Sequence, residues 1–282
     1  MEEKIGIITD STCDIPEKLV QSLGIEVLPL RILYKDKEYR DSVDITADEV
    51  YDRLHQEIPT TSLPGPDEVE ALFYKMKKQG FTHIIVIHLS SGLSGTGQMI
   101  RTIAQQIPDI VIKVIDSKSI SMGLGFMVIE AARAIQRKMN FEAVCSFIHS
   151  IQDRLSVFFV LGTLEYLKIG GRIGRVSGTI GQLLNIKPII TVGKDGIYST
   201  YAKVRGRKQS LDQLFATAKK FLSDTAGQIA VCYGGAQEEA TKFIKRLEEL
   251  PTIKELIVST VSPVIGVHTG PGTLGFAVLR GE

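Results

Sequence analysis

Thr82-His83-Ile84-Ile85-Val86-Ile87-His88-Leu89 is an unbroken apolar, β-branched run, the pattern of a strand buried on both faces. It gives way at once to Ser90-Ser91-Gly92-Leu93-Ser94-Gly95-Thr96-Gly97, and an amphipathic segment follows from about Gln98 to Gln106. Strand, glycine-rich polar loop and helix, in that order, form the unit of a parallel α/β sheet, where ligands bind beyond the carboxyl ends of the strands. The start of the helix presents backbone N–H groups that lack intrahelical partners, beside the positive end of its dipole. An N-cap and a turn account for one hydroxyl and one glycine. Four hydroxyls and three glycines in eight residues exceed that need. An anionic head group is the natural guest.

Toward the N-terminus, Lys4–Thr9 reads as a short buried strand and Asp10-Ser11-Thr12-Cys13-Asp14 as the loop after it. Asp14 with Pro16 predicts a helix start, and Gly24 its stop. Glu26–Tyr34 and Glu38–Arg40 read as strands joined at Lys35-Asp36-Lys37, and Thr46-Ala47-Asp48-Glu49 has the form of a capping box. Pro59-Thr60-Thr61-Ser62-Leu63-Pro64-Gly65-Pro66 is too rich in proline for regular structure and reads as a rigid loop holding its hydroxyls in place. A helix over Asp67–Gln79, stopped by Gly80, leads into the central strand.

Toward the C-terminus, a strand over Ile110–Ile115 ends at Asp116-Ser117-Lys118-Ser119, and helices follow at about Ser121–Lys138 and Phe141–Asp153. Val157–Leu161 is the next strand, and Leu164–Ile169 a short helix cut off by Gly170-Gly171. Lys187–Val192 and Ile197–Val204 flank Gly193-Lys194-Asp195-Gly196, the signal of a β-hairpin. Helices Ser210–Leu222 and Gln237–Leu250 alternate with strands Gln228–Tyr233 and Glu255–Val261. The loop Gly266-Val267-His268-Thr269-Gly270-Pro271-Gly272 precedes a last strand at Leu274–Leu279.

The 282-residue chain exceeds the usual size of one domain. The expected fold is α/β in two domains: a three-layer, doubly wound parallel sheet over residues 1–154 and a two-layer mixed sheet over 155–282. A 44% apolar fraction beside 23% charged residues is ordinary for a globular protein, and a net charge of +1 provides no field for nucleic acid. Cys13, Cys145 and Cys232 have neither disulfide nor zinc spacing. Met1-Glu2-Glu3-Lys4-Ile5-Gly6 enters a strand directly, and no run of about 18 apolar residues occurs, so a cytoplasmic location is expected.

Other residues carry weaker signals. Ser94, Asp116 and His268 have the types and chain order of an α/β-hydrolase triad, which would make the chain a serine hydrolase or acyltransferase. The nucleophile elbow needs Gly-x-Ser-x-Gly, however, and Gly92-Leu93-Ser94-Gly95-Thr96 puts the second glycine one place early. Asp10 and Asp14 read as loop and helix caps, and no metal site is expected. No GxxxxGK[ST] phosphate loop occurs, so the chain has no ATP site of its own. Gly170-Gly171-Arg172-Ile173-Gly174-Arg175 suits either a helix stop or a phosphate site that hugs the backbone. Lys203, Arg205, Arg207 and Lys208 form a basic cluster, a solvated face or a docking surface.

The stretches taken together are more specific than any one of them. In order they are Asp10–Asp14, Thr61-Ser62-Leu63-Pro64, Ser90–Thr96, Asp116-Ser117 with Ser121-Met122-Gly123, Leu167–Gly174 and His268-Thr269-Gly270-Pro271-Gly272. Over essentially its whole length the sequence resembles the DegV family. The resemblance implies a two-domain α/β protein that holds one long-chain fatty acid between its domains, with no other cofactor. In bacteria with a fatty acid kinase system, such a carrier presents the acid to a separate ATP-using kinase subunit, which makes the acyl phosphate for phospholipid synthesis. Carried over by position, the carboxylate contacts would be Thr61, Ser94 and His268, with Ser62, Ser91 and Gly95 beside them. Arg172 would sit near the incoming phosphate, and Arg205 would serve kinase docking.

Overall fold

A computed structural model describes residues 3–179, 185–223 and 225–281. β1 (Ile5–Asp10) runs through a 3₁₀ turn at Ser11–Cys13 to α1 (Glu17–Leu23) and β2 (Ile25–Leu28). An excursion follows, built of β3 (Arg31–Leu33), β4 (Glu38–Arg40), α2 (Ala47–Arg53) and β5 (Thr60–Ser62). Then come α3 (Pro66–Lys78), β6 (His83–His88), α4 (Thr96–Ala104), β7 (Val111–Asp116), α5 (Met122–Gln136) and α6 (Phe141–Gln152). The second half contains β8 (Leu155–Val160), α7 (Glu165–Ile169), β9 (Ile189–Val192), β10 (Tyr198–Ala202), α8 (Arg207–Phe221), β11 (Gly227–Gly234), α9 (Gln237–Glu248), β12 (Ile253–Thr260), α10 (Pro263–Thr269) and β13 (Thr273–Arg280).

The N-terminal sheet is parallel throughout, in the order β2-β1-β6-β7, and the quoted run forms its buried strand β6. The C-terminal sheet is mixed, in the order β10-β9-β8-β13-β11-β12, with β11 and β12 its parallel pair. Helices α3 and α4 cover one face of the first sheet through Val69, Phe73, Met76 and Ile100. Helices α8 and α9 cover one face of the second through Leu214, Leu222, Phe243 and Leu247. Between the sheets lies α5, apolar on every side over its first two turns, with residues Met122 to Ala132 all buried and its charged Glu130 paired with Arg133, which also pairs with Glu255. Such a helix has no solvent face to offer. Here it fills the layer shared by both domains, and one apolar core runs through it from Ile85 to Ala277.

Three sequence expectations are corrected. Glu26–Tyr34 is two strands in two different sheets, because Pro29 has no N–H to give a ladder and ends β2 there. Part of the proline-rich stretch is regular: Thr60–Ser62 pairs antiparallel with β3, Thr61 opposite Ile32. Its prolines fall outside the pairing residues, so the ladder loses no donor. The loop before the last strand is largely helix α10, with Ser262 as N-cap and Pro263 at the first helical position. That is the place where a proline is tolerated.

Candidate functional site

Three polar segments converge at the carboxyl ends of β1 and β6. Asp10, buried at the end of β1, organises the first two. Its Oδ1 accepts from the backbone N–H and hydroxyl of Thr12 at 3.1 and 2.6 Å, and its Oδ2 accepts from the N–H of Leu89 at 2.7 Å. The serine loop starts from that fixed point. Ser90 is fully buried, and its hydroxyl donates to the carbonyl of Gly196 at 2.8 Å, in the turn of the C-terminal hairpin. A Cβ on Gly92 would stand 2.8 Å from that same carbonyl, so only glycine lets loop and hairpin approach this closely. Ser94 precedes α4, with its hydroxyl 2.9 Å from that of Thr96. Gly95, the N-cap of α4, has no side chain to give, and Ser94 Oγ accepts from the backbone N–H of Thr96 at 3.3 Å.

His268 arrives from the second domain on the last turn of α10. Its Nε2 lies 2.8 Å from Oγ1 of Thr61, and its Nδ1 is buried without a partner. Burial, helped by the charge of Arg172, holds the imidazole down at about 4, so the ring is neutral near pH 7. Gly170 packs against the ring so closely that any side chain there would overlap it. Arg172 closes the rim: its Nη1 donates to the carbonyl of Gly170 at 2.7 Å and its Nε to that of Leu93 at 3.4 Å.

These segments enclose a cavity of about 180 Å³ lined by Thr61, Ser62, Ser94, Gly95, Arg172 and His268 among others. Behind it lies a second chamber of about 40 Å³. Ile120, Tyr198, Ile265 and Thr269 line both. The inner chamber exists because small side chains meet on one face of the second sheet: Gly275 of β13 pairs with Cys232 of β11, and Ala277 with Ala230. A polar mouth thus continues into an apolar recess.

Other candidates lie elsewhere. Ser91 is exposed and outside the cavity lining, its N–H donating to Asp116 Oδ1 at 3.2 Å. Arg205 is exposed at a bridge to Ile186, also outside the lining. Asp116 accepts from the backbone N–H groups of Ser91 and Lys118 and has no hydrogen bond to His268. His268 in turn meets Thr61 and not Ser94. The triad alternative therefore has neither of its two hydrogen bonds, because its histidine and its carboxylate are committed to other groups.

Sequence reasoning missed Thr12, Tyr198 and the apolar residues of α10, which line the cavity. The pair Ser262-Pro263 was the one local signal available, marking the helix that delivers His268. Among the described residues no group of three or more His, Cys, Asp or Glu has the geometry to hold a metal ion. No described helix is long and apolar enough to cross a membrane.

A family model described as "Uncharacterised protein, DegV family" matches residues 4–281. A DegV domain-containing protein of Clostridium acetobutylicum is 45% identical over 279 residues, 99% of each chain. Among solved structures, a fatty-acid-binding DegV family protein from Thermus thermophilus superposes with a TM-score of 0.92 at 31% identity, covering 98% of this chain and 99% of that one. DegV, a fatty acid binding protein from Bacillus subtilis, follows at 0.91 and 28%, covering 99% of this chain and all of its own, 100%. The chain carries the motifs, the paired sheets and the whole-length similarity of one family, and it belongs to the DegV family.

Proposed function

We propose that this chain binds one long-chain fatty acid, its carboxylate at Thr61, Ser94 and His268 and its tail running past Tyr198 into the inner chamber. The observation that carries the reading is the continuity of a hydroxyl-lined mouth with an apolar recess through four shared residues. Two relatives of the same fold, described as fatty-acid-binding, support it.

The energetics agree. Burying about 14 methylenes at about 0.8 kcal/mol each gives about 11 kcal/mol of gross hydrophobic gain. Association and ordering offset much of it. A buried carboxylate needs donors, or its ionisation becomes very costly. We assign the His268 proton to Nε2, because a buried N–H without an acceptor is costlier than an unpartnered lone pair on Nδ1. Nε2–H then donates to Thr61 Oγ1, which frees the Thr61 hydroxyl to donate into the cavity. Ser94 and the first-turn N–H groups of α4 that lack intrahelical partners add further donors. Neutral donors leave the carboxylate nucleophilic.

We take the chain to be a carrier, not an enzyme. A separate kinase subunit transfers the γ-phosphoryl group of ATP to the exposed carboxylate, making an acyl phosphate for phospholipid synthesis in the bacterial cytoplasm. Arg172 stands where the phosphate would arrive, and Arg205 would serve docking. The division between domains falls at residues 154 and 155. Titration with parinaric acid, a fluorescent fatty acid, tests the binding half: the wild type takes up one equivalent, and Ser94→Ala weakens it. Adding a fatty acid kinase and ATP tests the rest. His268→Ala should keep acyl-chain binding measurable and cut acyl phosphate formation, and unchanged phosphorylation would refute the role of His268.

A further inference from the structure

Thr61 is not alone among the residues between β2 and α3 in touching α10. Tyr51 of α2 touches it on a side that the fatty-acid reading leaves without a role. A complete capping box fixes the start of α2. Thr46 Oγ1 accepts from the N–H of Glu49 at 3.3 Å, and Glu49 Oε2 accepts from the N–H of Thr46 at 2.8 Å. Just beyond the box, the Tyr51 ring enters a slot between Gly266 of α10 and Gly234 at the end of β11. A Cβ on Gly266 would stand 3.1 Å from Cε1 and Oη of the ring, and one on Gly234 would overlap Oη. The hydroxyl is buried there without a hydrogen-bond partner, so contact alone holds the ring.

α10 has seven residues, too few to hold a helix in place by its own hydrogen bonds. Its head is tied by Asp14 and Asp41, whose Oδ1 atoms accept from the N–H groups of Ser262 and Val264 at 2.8 and 2.9 Å. Rings hold the rest of the helix, which carries His268. Val264, Ile265, His268 and Thr269 line the cavity and, at about 100° per residue, share one side of α10, whereas Gly266 lies on the far side. Tyr51 therefore backs the helix where the ligand site faces it, and it lines neither chamber. Tyr166 of α7 stops the C-terminal end. Its ring lies against Gly270, the C-cap, where any Cβ would overlap it. The two tyrosines come from different halves of the chain and pack on one apolar cluster around Val264 and Val267.

We propose that Tyr51 and Tyr166 are positioning residues of the ligand site. Wedged against Gly266 and Gly270, they fix how far α10 stands toward the cavity, and so where His268 meets Thr61 and the carboxylate. The proposal deepens the fatty-acid reading and rests on it. Gly234 belongs to a strand held between β13 and β12, so the Tyr51 ring has no room to retreat. A smaller side chain at position 51 lets α10 settle toward α2 and draws His268 back from the cavity.

Parinaric acid titration and the imidazole nitrogen NMR resonances of His268 in ligand-free protein test the wedge together. Those resonances are assigned by their loss in His268→Gln, and they follow the hydrogen bond to Thr61 rather than a lost ring current. Tyr51→Leu keeps an apolar side chain without the ring. It should shift the resonances and weaken parinaric acid binding roughly tenfold, the order of one lost hydrogen bond. Tyr51→Phe removes only the unpartnered hydroxyl, so both readouts should stay at wild-type values. Val69→Ala, in the separate core beneath α3, should lower stability in urea and leave both readouts unchanged. Wild-type resonances in Tyr51→Leu overturn the proposal, as does a loss in Tyr51→Phe or Val69→Ala equal to that in Tyr51→Leu. Should Tyr51→Leu not fold, Gly266→Ala presses the same contact from the helix side, and wild-type values for both readouts there overturn the proposal. Resonances that shift as expected in a protein that binds no parinaric acid refute the ligand reading alone.

Discussion

The hydroxyl oxygen of Thr61 and Nε2 of His268 lie 2.8 Å apart across 207 positions of sequence. The threonine stands on a short edge strand of the N-terminal half, and the histidine on the helix that precedes the last strand of the C-terminal half. A polar pair that bridges the seam can only be assembled by the complete fold.

Thr61→Val tests the pair with little change in shape. It removes the acceptor of the His268 N–H, and an unpartnered buried donor costs about 1–3 kcal/mol. Urea unfolding should show a loss in that range, and fatty acid affinity should fall roughly tenfold, since the ligand loses the same hydroxyl. Affinity equal to wild type would remove Thr61 from the site.

Gly170→Ala acts on His268 from the other side. The backbone there has φ −73, which alanine adopts freely, so the cost is steric: the new methyl overlaps the imidazole. Displacing a packed ring costs about 1–3 kcal/mol. Calorimetry should show weaker fatty acid binding, whereas Gly178→Ala, where the methyl meets nothing within 4 Å, should behave as wild type.

Ala277→Leu places three more carbons on the face of β13 that lines the inner chamber of about 40 Å³. An acyl tail excluded from that space loses about 0.8 kcal/mol per methylene. Longer acids should lose roughly thirtyfold in affinity, the equivalent of about 2 kcal/mol, while acids a few carbons shorter bind as before. Equal losses for every chain length would place the tail elsewhere.

The pH dependence of stability separates two buried groups of opposite sign. His268 titrates at about 4 when folded and near 6.5 when unfolded, so its contribution is lost as pH falls through that window. Asp41 is raised to about 7 from the 3.8 of a free side chain, so its contribution is lost as pH rises from about 4 to about 7. A pKa displaced by one pH unit on folding corresponds to about 1.4 kcal/mol. Urea unfolding at pH 5 and 7.5 should show His268→Gln losing stability relative to wild type toward the higher pH and Asp41→Asn gaining it. Parallel behaviour of either variant with wild type would mean that its group does not titrate differently in the folded chain.

Much of this fold was legible because its decisive elements are locally consistent. The run 82–89 is largely apolar and β-branched, so its buried strand was legible; Ser121–Lys138 was legible as a helix, but its burial between the sheets was not. The serine loop advertised itself by its glycines and hydroxyls. It did not say which hydroxyls turn inward: Ser94 lines the cavity, while Ser91 faces solvent and ties Asp116. Thr12 and Tyr198 carry no local signature, since the first is brought to the cavity by Asp10 and the second by the hairpin register. His268 was placed on a loop because Gly266, Gly270 and Gly272 outweighed the cap at Ser262-Pro263. The helix is short, and its position is set by the two carboxyls of Asp14 and Asp41 that reach it from the other domain.

Native mass spectrometry of the protein purified from a bacterial host, before and after addition of oleate, tests the central claim most directly. One fatty-acid adduct per chain is expected, weakened in Thr61→Val and Ser94→Ala. A spectrum showing only the bare chain, unchanged by added oleate, would contradict fatty acid binding.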